Sequence, residues 1–219
     1  MKKTILGVNI DDVNLDETVN IVKNWLSKRG KHYIVTPNPE IVVMAQKDEK
    51  LKNIINRADL AIPDGIGLKL STDIENTTPG IDVMEELVKI AAEKGFTTGF
   101  LGGRDKVAEK SAECLKKKYP KLKVSFVSEE PEKIPAADIL FVAFGAPKQE
   151  YWIAANLDKI PVRVTMGVGG AFDYISGRAP RAPRWIRDLG FEWLFRLIIQ
   201  PWRIKRQLAL VKFIFYMLK

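Results

Sequence analysis

The residues of this chain that could do chemistry gather where strand-like runs give way to turns. In Asp59-Leu60-Ala61-Ile62-Pro63-Asp64-Gly65-Ile66-Gly67, Leu60 to Ile62 read as a short buried strand. Pro63 ends it, having no N–H and a fixed φ, so Asp64 stands at the strand's carboxyl end. Gly65 and Gly67 allow a tight turn and leave open space before the carboxylate, where open α/β sheets bind their ligands. The plainer use of such an Asp is to cap the helix that begins near Ile66. Thr36 and Asn38, in Thr36-Pro37-Asn38-Pro39-Glu40, also follow a strand. Singly they are helix-entry residues; in a shared crevice they become hydroxyl and amide partners for a sugar.

Glycine turns supply a second kind of group. Gly102, Gly145, Gly169 and Gly170 each follow an apolar run, and backbone N–H groups at such turns and helix starts suit a phosphate. The Gly167-Val168-Gly169-Gly170 run lacks the full dinucleotide fingerprint, there is no Walker A loop, and no two aspartates stand at i, i+2. With one cysteine (Cys114) and one histidine (His32), no Cys/His metal cluster and no Ser-His-Asp device is expected. Both residues read as structural. The chemistry expected is free of metal and cofactor, with helix termini and arginines facing phosphates.

The elements that must position these groups read as one α/β unit. Strands are expected at Thr4–Ile10, His32–Val35, Leu60–Ile62, Phe96–Leu101, Lys123–Val127, Asp138–Phe144 and Val162–Met166. Asp138–Phe144 is the most apolar and belongs at the centre of the sheet. Helices are expected at Asn14–Arg29, from Pro39, at Asp82–Lys94 and at Asp105–Lys118, with glycine stops at Gly30 and Gly95. The link Ser128–Pro135 has no room for a crossover helix, which leaves the strand order there open.

Charge divides the chain. The formal net charge is +8, and residues 178–219 carry ten Lys/Arg against Asp188 and Glu192, so the first 177 residues balance. The excess belongs to the tail, and a polyanionic or membrane-surface partner is expected for it. Residues 185–199 read as one helix, Pro201 breaks it, and residues 202–218 read as another. In the latter, Ile204, Leu208, Val211, Phe215 and Leu218 share one face, while Lys205, Lys212 and Lys219 recur every seven residues. With Trp185, Trp193 and Trp202 beside arginines, this suits a helix lying in a membrane interface. The alternative is a helix packed on the body or on a partner subunit. The amino terminus is too short in apolar residues and too acidic to read as a signal peptide, so a cytoplasmic protein peripheral to the inner face of the membrane is expected.

In order, Thr-Pro-Asn-Pro-Glu, Pro-Asp-Gly-Ile-Gly, Gly-Ile-Asp, Leu-Gly-Gly, Phe-Gly-Ala-Pro-Lys-Gln-Glu-Tyr-Trp, Gly-Val-Gly-Gly-Ala-Phe-Asp and Arg-Ala-Pro-Arg-Trp resemble the WecG/TagA/CpsF glycosyltransferases (glycosyltransferase family 26), the TagA branch above all. The resemblance implies a Rossmann-like α/β catalytic domain over 1–184, with flanking helices, and a carboxyl-terminal helical membrane-binding appendage over 185–219. It implies an inverting, metal-independent transfer of N-acetylmannosamine from its UDP-sugar donor to N-acetylglucosamine on undecaprenyl diphosphate, in wall teichoic acid synthesis. Another UDP-sugar donor is the alternative within the family.

Carried over by position, Asp64 matches the family's proposed general base. Thr36, Asn38 and Gln149 match residues of the sugar pocket, and Arg196, Arg203 and Arg206 match candidates for holding the diphosphates. An anionic membrane surface is the expected further partner, and a homo-oligomer that buries the tail is a further arrangement considered. Two departures stand out: Thr77-Thr78-Pro79 occupies the place where the family usually carries an arginine, and the 128–135 link is short. Readings from other classes are a basic nucleic-acid-binding protein, for which the apolar face of residues 204–218 would be left wet, a non-catalytic membrane scaffold, and, more distantly, a nicotinamide dehydrogenase.

Overall fold

The structure, a computed structural model, describes residues 1–130, 132–201 and 204–218, without the side chains of Ser71, Lys205, Arg206 and Gln207. It is an α/β fold around a six-stranded parallel sheet. The chain opens, however, with a hairpin rather than the single strand expected at Thr4–Ile10. β1 (Lys2–Ile5) and β2 (Val8–Asp11) pair antiparallel, Ile5 opposite Val8. Leu6 (φ 50°) and Gly7 (φ 78°) turn the chain between them, as a two-residue hairpin turn of positive φ requires. The apolar alternation runs through that turn unbroken, which hides it from a pattern reading.

The hairpin ties down segments that later frame the cleft. Asp11 accepts the N–H of Ala61 at 2.9 Å. Asp12 accepts the N–H groups of Glu75 and Asn76 at 3.1 and 2.9 Å and pairs with Lys3 at 2.9 Å. Burial works against the Asp12 charge, but Lys3 and those N–H groups outweigh it and hold the carboxyl well below the usual carboxylate range.

α1 (Leu15–Leu26) starts in a capping box: Asn14 accepts the Glu17 N–H at 3.0 Å, and Glu17 accepts the Asn14 N–H at 2.9 Å. Asn14→Ala is expected to lower stability by about 1 kcal/mol, read as a lower urea midpoint at unchanged slope.

The main sheet then builds in the order β4-β3-β8-β7-β5-β6, every pair parallel. Its strands are β3 (His32–Val35), β4 (Leu60–Ala61), β5 (Thr97–Gly102), β6 (Lys123–Ser128), β7 (Ala137–Ala143) and β8 (Val162–Gly167). β7 is central, as its apolar run predicts. Successive side chains alternate between two cores. Ile34, Phe100, Ile139, Phe141, Val164 and Met166 meet α1, α5 (Gly80–Lys94) and α6 (Val107–Lys118) on one face. Val35, Leu101, Leu140 and Val142 meet α2 (Pro39–Ala45), α3 (Glu49–Asn56) and α7 (Lys148–Asn156) on the other.

β6 forms an edge, and the chain returns past β5 to reach β7 without a helix among the described residues of 129–136. An extended link of that length reaches roughly 26–29 Å, enough to run back along a six-residue strand and step across one neighbour. His32 stacks on Trp25 (ring centroids 4.3 Å apart) with Nδ1 3.4 Å from Asp59, a structural role. Cys114 lies on α6, exposed.

The carboxyl-terminal region departs from the expected helices at one point. Residues 185–199 are two helices, α9 (Arg184–Asp188) and α10 (Glu192–Ile199). Gly190 breaks them with φ 78°, and the Phe191 N–H returns to the Ile186 carbonyl at 3.0 Å, a left-handed glycine stop of the Schellman kind. α11 (Ile204–Met217) packs on α2 and on α4 (Ile66–Ser71), with Phe213 fully buried. Its other face stays open: Ile204, Leu208, Val211 and Phe215 are each at least half exposed. Docking on the body and presenting an apolar face, set as alternatives by the sequence, occur on opposite sides of one helix. No described helix is long and apolar enough to cross a membrane.

Candidate functional site

The carboxyl ends of β3, β4, β7 and β8 open into a cleft of about 770 Å³, closed from above by α9, α10 and α11. Short backbone bonds bring its first wall together. The Ile62 N–H reaches the Val35 carbonyl at 2.8 Å, the Asp64 N–H the Pro37 carbonyl at 2.9 Å, and the Thr78 N–H the Pro63 carbonyl at 2.8 Å. The turns after β3 and β4 and the segment before α5 therefore lie side by side, with Thr36, Asn38 and Asp64 on the cleft.

Two of the helix-entry residues are resolved by their bonds. Asn38 caps α2, accepting the Ile41 N–H at 3.0 Å, while still lining the cleft. Asp64 does not cap α4, which starts at Gly65 without a side-chain cap; its carboxyl accepts instead from the Gly80 N–H at the start of α5. Gly65 has φ 91° and no atom within 4 Å of where a Cβ would stand, so the space before the carboxylate is open, as expected. Gly67 serves otherwise. A Cβ there would lie 2.8 Å from Pro39 and 3.0 Å from Leu210, so this glycine lets α4, α2 and α11 approach.

Asp64 is half-buried, and its electrostatics are unusual for an Asp. Burial in the cleft wall, the nearby charge of Glu192 and, more weakly, that of Asp82 push its pKa up to about 7; Arg196 and the Gly80 N–H pull the other way. A carboxylate poised near neutrality in a cleft is suited to take a proton.

Opposite stands the loop after β8. Gly169 (φ 51°) and Gly170 line the cleft with Gly145 and Gln149. The Gly169 N–H, expected to face an anion, is already bonded to Gln149 Oε1 at 3.0 Å. Arg196 lies over the ring of Tyr174, 4.8 Å from guanidinium carbon to centroid. A Cβ at 170 would come within 2.6 Å of its Nη2, so the guanidinium occupies the room that glycine leaves. Its Nε is buried without a hydrogen-bond partner. Gly102 does not reach the cleft; it is buried at the end of β5 against Phe144 and Ala143. Arg203 and the Arg206 side chain lie outside the described residues.

Several groups in or beside the cleft escaped the sequence reading. Arg181 grips Asp82 with two bonds of 2.6 and 2.8 Å and lies 3.7 Å from Glu192, linking α5 to α10. Arg187 reaches within 3.9 Å of Asp82 and lines the cleft, as Thr77 does. The Gly-Ile-Asp and Arg-Ala-Pro-Arg-Trp motifs contain Asp82, Arg181 and Arg184, but nothing local announces that two of these pair across the fold. Among the described residues, no three His, Cys, Asp or Glu side chains are arranged to hold a metal ion.

Five of the seven motifs contribute to this cleft, and the family model for "Glycosyl transferase WecG/TagA/CpsF family" matches residues 3–219. The chain belongs to that family. Among its relatives, a Staphylococcus aureus (strain NCTC 8325 / PS 47) protein is 31% identical over 235 residues, covering 100% of this chain and 92% of its own. A Bacillus subtilis (strain 168) protein is 31% identical over 233 residues, covering 99% and 91%. Both are named N-acetylglucosaminyldiphosphoundecaprenol N-acetyl-beta-D-mannosaminyltransferase. The similarity runs from the hairpin to α11, so the family relation covers the helices that close the cleft as well as the sheet beneath it.

Proposed function

We propose that this chain transfers N-acetylmannosamine from UDP-N-acetylmannosamine to the N-acetylglucosamine of an undecaprenyl-diphosphate acceptor, with inversion to a β-1,4 linkage and without metal, in the synthesis of a teichoic-acid-type wall polymer. The observation that carries the reading is Asp64, raised to about 7 and facing open space at Gly65, in one cleft with Arg196 and Gly170. The acceptor hydroxyl oxygen attacks the anomeric carbon as the bond to the UDP oxygen breaks, and the electron pair leaves with UDP. Asp64 takes the hydroxyl proton in the same step. Arg196 and the N-terminal turns of α7 and α8 (Ala171–Ile175) face the charge growing on the diphosphate. Thr36 and Asn38 meet the sugar. Arg187 supplies, from α9, the cationic group missing at Thr77.

The names of the relatives support the acceptor, and the exposed face of α11 supports the place of reaction. Trp185, Leu189 and Ile198 of the α9–α10 segment are likewise exposed, at 66%, 62% and 70%, and Leu210 and Ile214 of α11 line the cleft. A lipid-linked acceptor then enters from an anionic membrane surface on which the protein rests. Leu208→Glu with Val211→Glu is expected to weaken binding to anionic vesicles at least about tenfold while leaving the melting temperature unchanged, because both side chains are exposed. Vesicle sedimentation and calorimetry check this.

The deciding experiment is UDP release with a short-chain N-acetylglucosaminyl diphospholipid, a panel of UDP-sugars and EDTA. Acceptor-dependent turnover with UDP-N-acetylmannosamine that survives EDTA is expected. Turnover with a different UDP-sugar alone would replace the donor, and absence of turnover with every donor, despite vesicle binding, would favour a membrane scaffold.

A further inference from the structure

Glu150, the residue after Gln149, is completely buried in the first turn of α7. Among the described residues no cation pairs with it, and burial pushes its carboxyl pKa upward against the pull of its hydrogen bonds. An acid in such a place is unfavourable unless it holds something. What it holds is its neighbour: Glu150 Oε1 accepts the Gln149 Nε2 hydrogen at 2.9 Å. Gln149 Oε1 in turn accepts the Gly169 N–H at 3.0 Å.

The two bonds fix one orientation of the amide. Were the Gln149 amide turned over, its NH2 would confront the Gly169 N–H, donor against donor, and its oxygen would confront the acid. The backbone is shaped to this side chain: a Cβ at Gly167 would lie 2.8 Å from Gln149 Nε2, and Gly169 takes φ 51°. We propose that Glu150 is a positioning residue: through the Gln149 amide it sets the Gly167–Gly170 loop in the form that receives the donor's diphosphate. This rests on the proposed reading of that loop as the nucleotide side of the cleft. Glu150 touches no substrate.

The test uses the full-length protein and UDP itself, measured by calorimetric titration, with donor and acceptor KM and kcat from UDP release. Glu150→Met keeps the bulk but accepts no hydrogen bond. Glu150→Gln keeps an oxygen that can accept from the Gln149 amide.

Expected is a rise of about tenfold in the UDP Kd and the donor KM for Glu150→Met, the effect of one lost hydrogen bond. The acceptor KM should stay unchanged, and Glu150→Gln should remain within about twofold of wild type by the same reasoning. Gln149→Met should raise the UDP Kd similarly, and the double variant should add nothing further, since both act through one chain of bonds. That cycle keeps the question open to decision if one variant folds poorly.

An unchanged UDP Kd in Glu150→Met overturns the proposal, as do equal losses in the Met and Gln variants or additive losses in the double variant. Gly170→Val separates the two levels. If it weakens UDP binding while Glu150→Met does not, only the positioning role falls. If wild type binds no UDP, or Gly170→Val leaves binding unchanged, the reading of the loop falls with it.

Discussion

Asp64→Asn is expected to reduce acceptor-dependent UDP release by about 10²- to 10⁴-fold, the usual contribution of a positioned general base, with UDP binding retained. The amide keeps the size of the side chain and loses only the ability to take a proton. Because burial and Glu192 raise the wild-type group to about 7, kcat/KM should climb through that pH as the carboxyl ionises. Glu192→Gln removes the larger of the two charges that raise it and is expected to move this limb to lower pH. A pH profile that is flat across neutrality, or a limb unmoved in Glu192→Gln, would remove Asp64 from the role of base.

Stability should move in the opposite direction from activity. In the folded protein Asp64 binds its proton more tightly than its ordinary value of 3.8 allows. Stability is therefore lost progressively as pH rises from about 4 to about 7, and the loss is complete above. Asparagine cannot ionise. The variant is expected to melt above wild type at pH 8, with the gap closing toward pH 4. Thermal unfolding at the two pH values gives the answer, and a variant less stable than wild type at pH 8 would contradict it.

Arg196→Ala is expected to lower kcat by about 10²- to 10³-fold, the scale for removing one preorganised group from developing negative charge. The guanidinium is held in place by the Tyr174 ring and by the space above Gly170, so little reorganisation is needed when the diphosphate departs. Its second effect separates this role from a packing role. Arg196 is the main influence lowering the Asp64 pKa, so the alanine variant should carry the activity limb to higher pH. Arg196→Lys keeps the charge but not the planar stacking, and should hold the limb near its wild-type place while recovering only part of kcat. A loss in KM alone, with the pH profile unchanged, would mean that Arg196 binds substrate without stabilising the transition state.

Proline and glycine punctuation makes much of the cleft legible in the sequence. Pro37 and Pro63 end their strands for covalent reasons, so Thr36, Asn38 and Asp64 had to fall at carboxyl ends, and a parallel sheet puts carboxyl ends on one side. Gly65 could be read as open space because a glycine just past a strand end has no side chain to fill it. Gly67 could not, since Pro39 and Leu210 come to it from other helices. The expectation for Gly102 failed for the same reason: a glycine after a strand looks alike whether it faces a ligand or packs on Phe144. The Gly169 N–H failed differently, being engaged by a side chain twenty residues earlier.

The hairpin turn at Leu6-Gly7 and the break at Gly190 show the limit of periodicity. An apolar pattern carries across a tight turn without interruption, and only φ distinguishes the two cases. The short link to β7 left the strand order open because its length permits the passage over β5 without requiring it.

By itself the sequence determined the α/β class, the central place of β7, the strand-end positions of Thr36, Asn38 and Asp64, and a tail that holds the excess positive charge. These follow from local stereochemistry and from the spacing of apolar residues, which travel with the chain. Only the tertiary structure decided what surrounds those positions: Glu192 and Arg196 beside Asp64, Arg181 locked on Asp82, Arg187 brought into the cleft wall, and α11 docked through Phe213 with its other face exposed. A pKa, a pocket and an ion pair are properties of distance in space. For groups so far apart in sequence, that distance is set by how the sheet and its covering helices pack together.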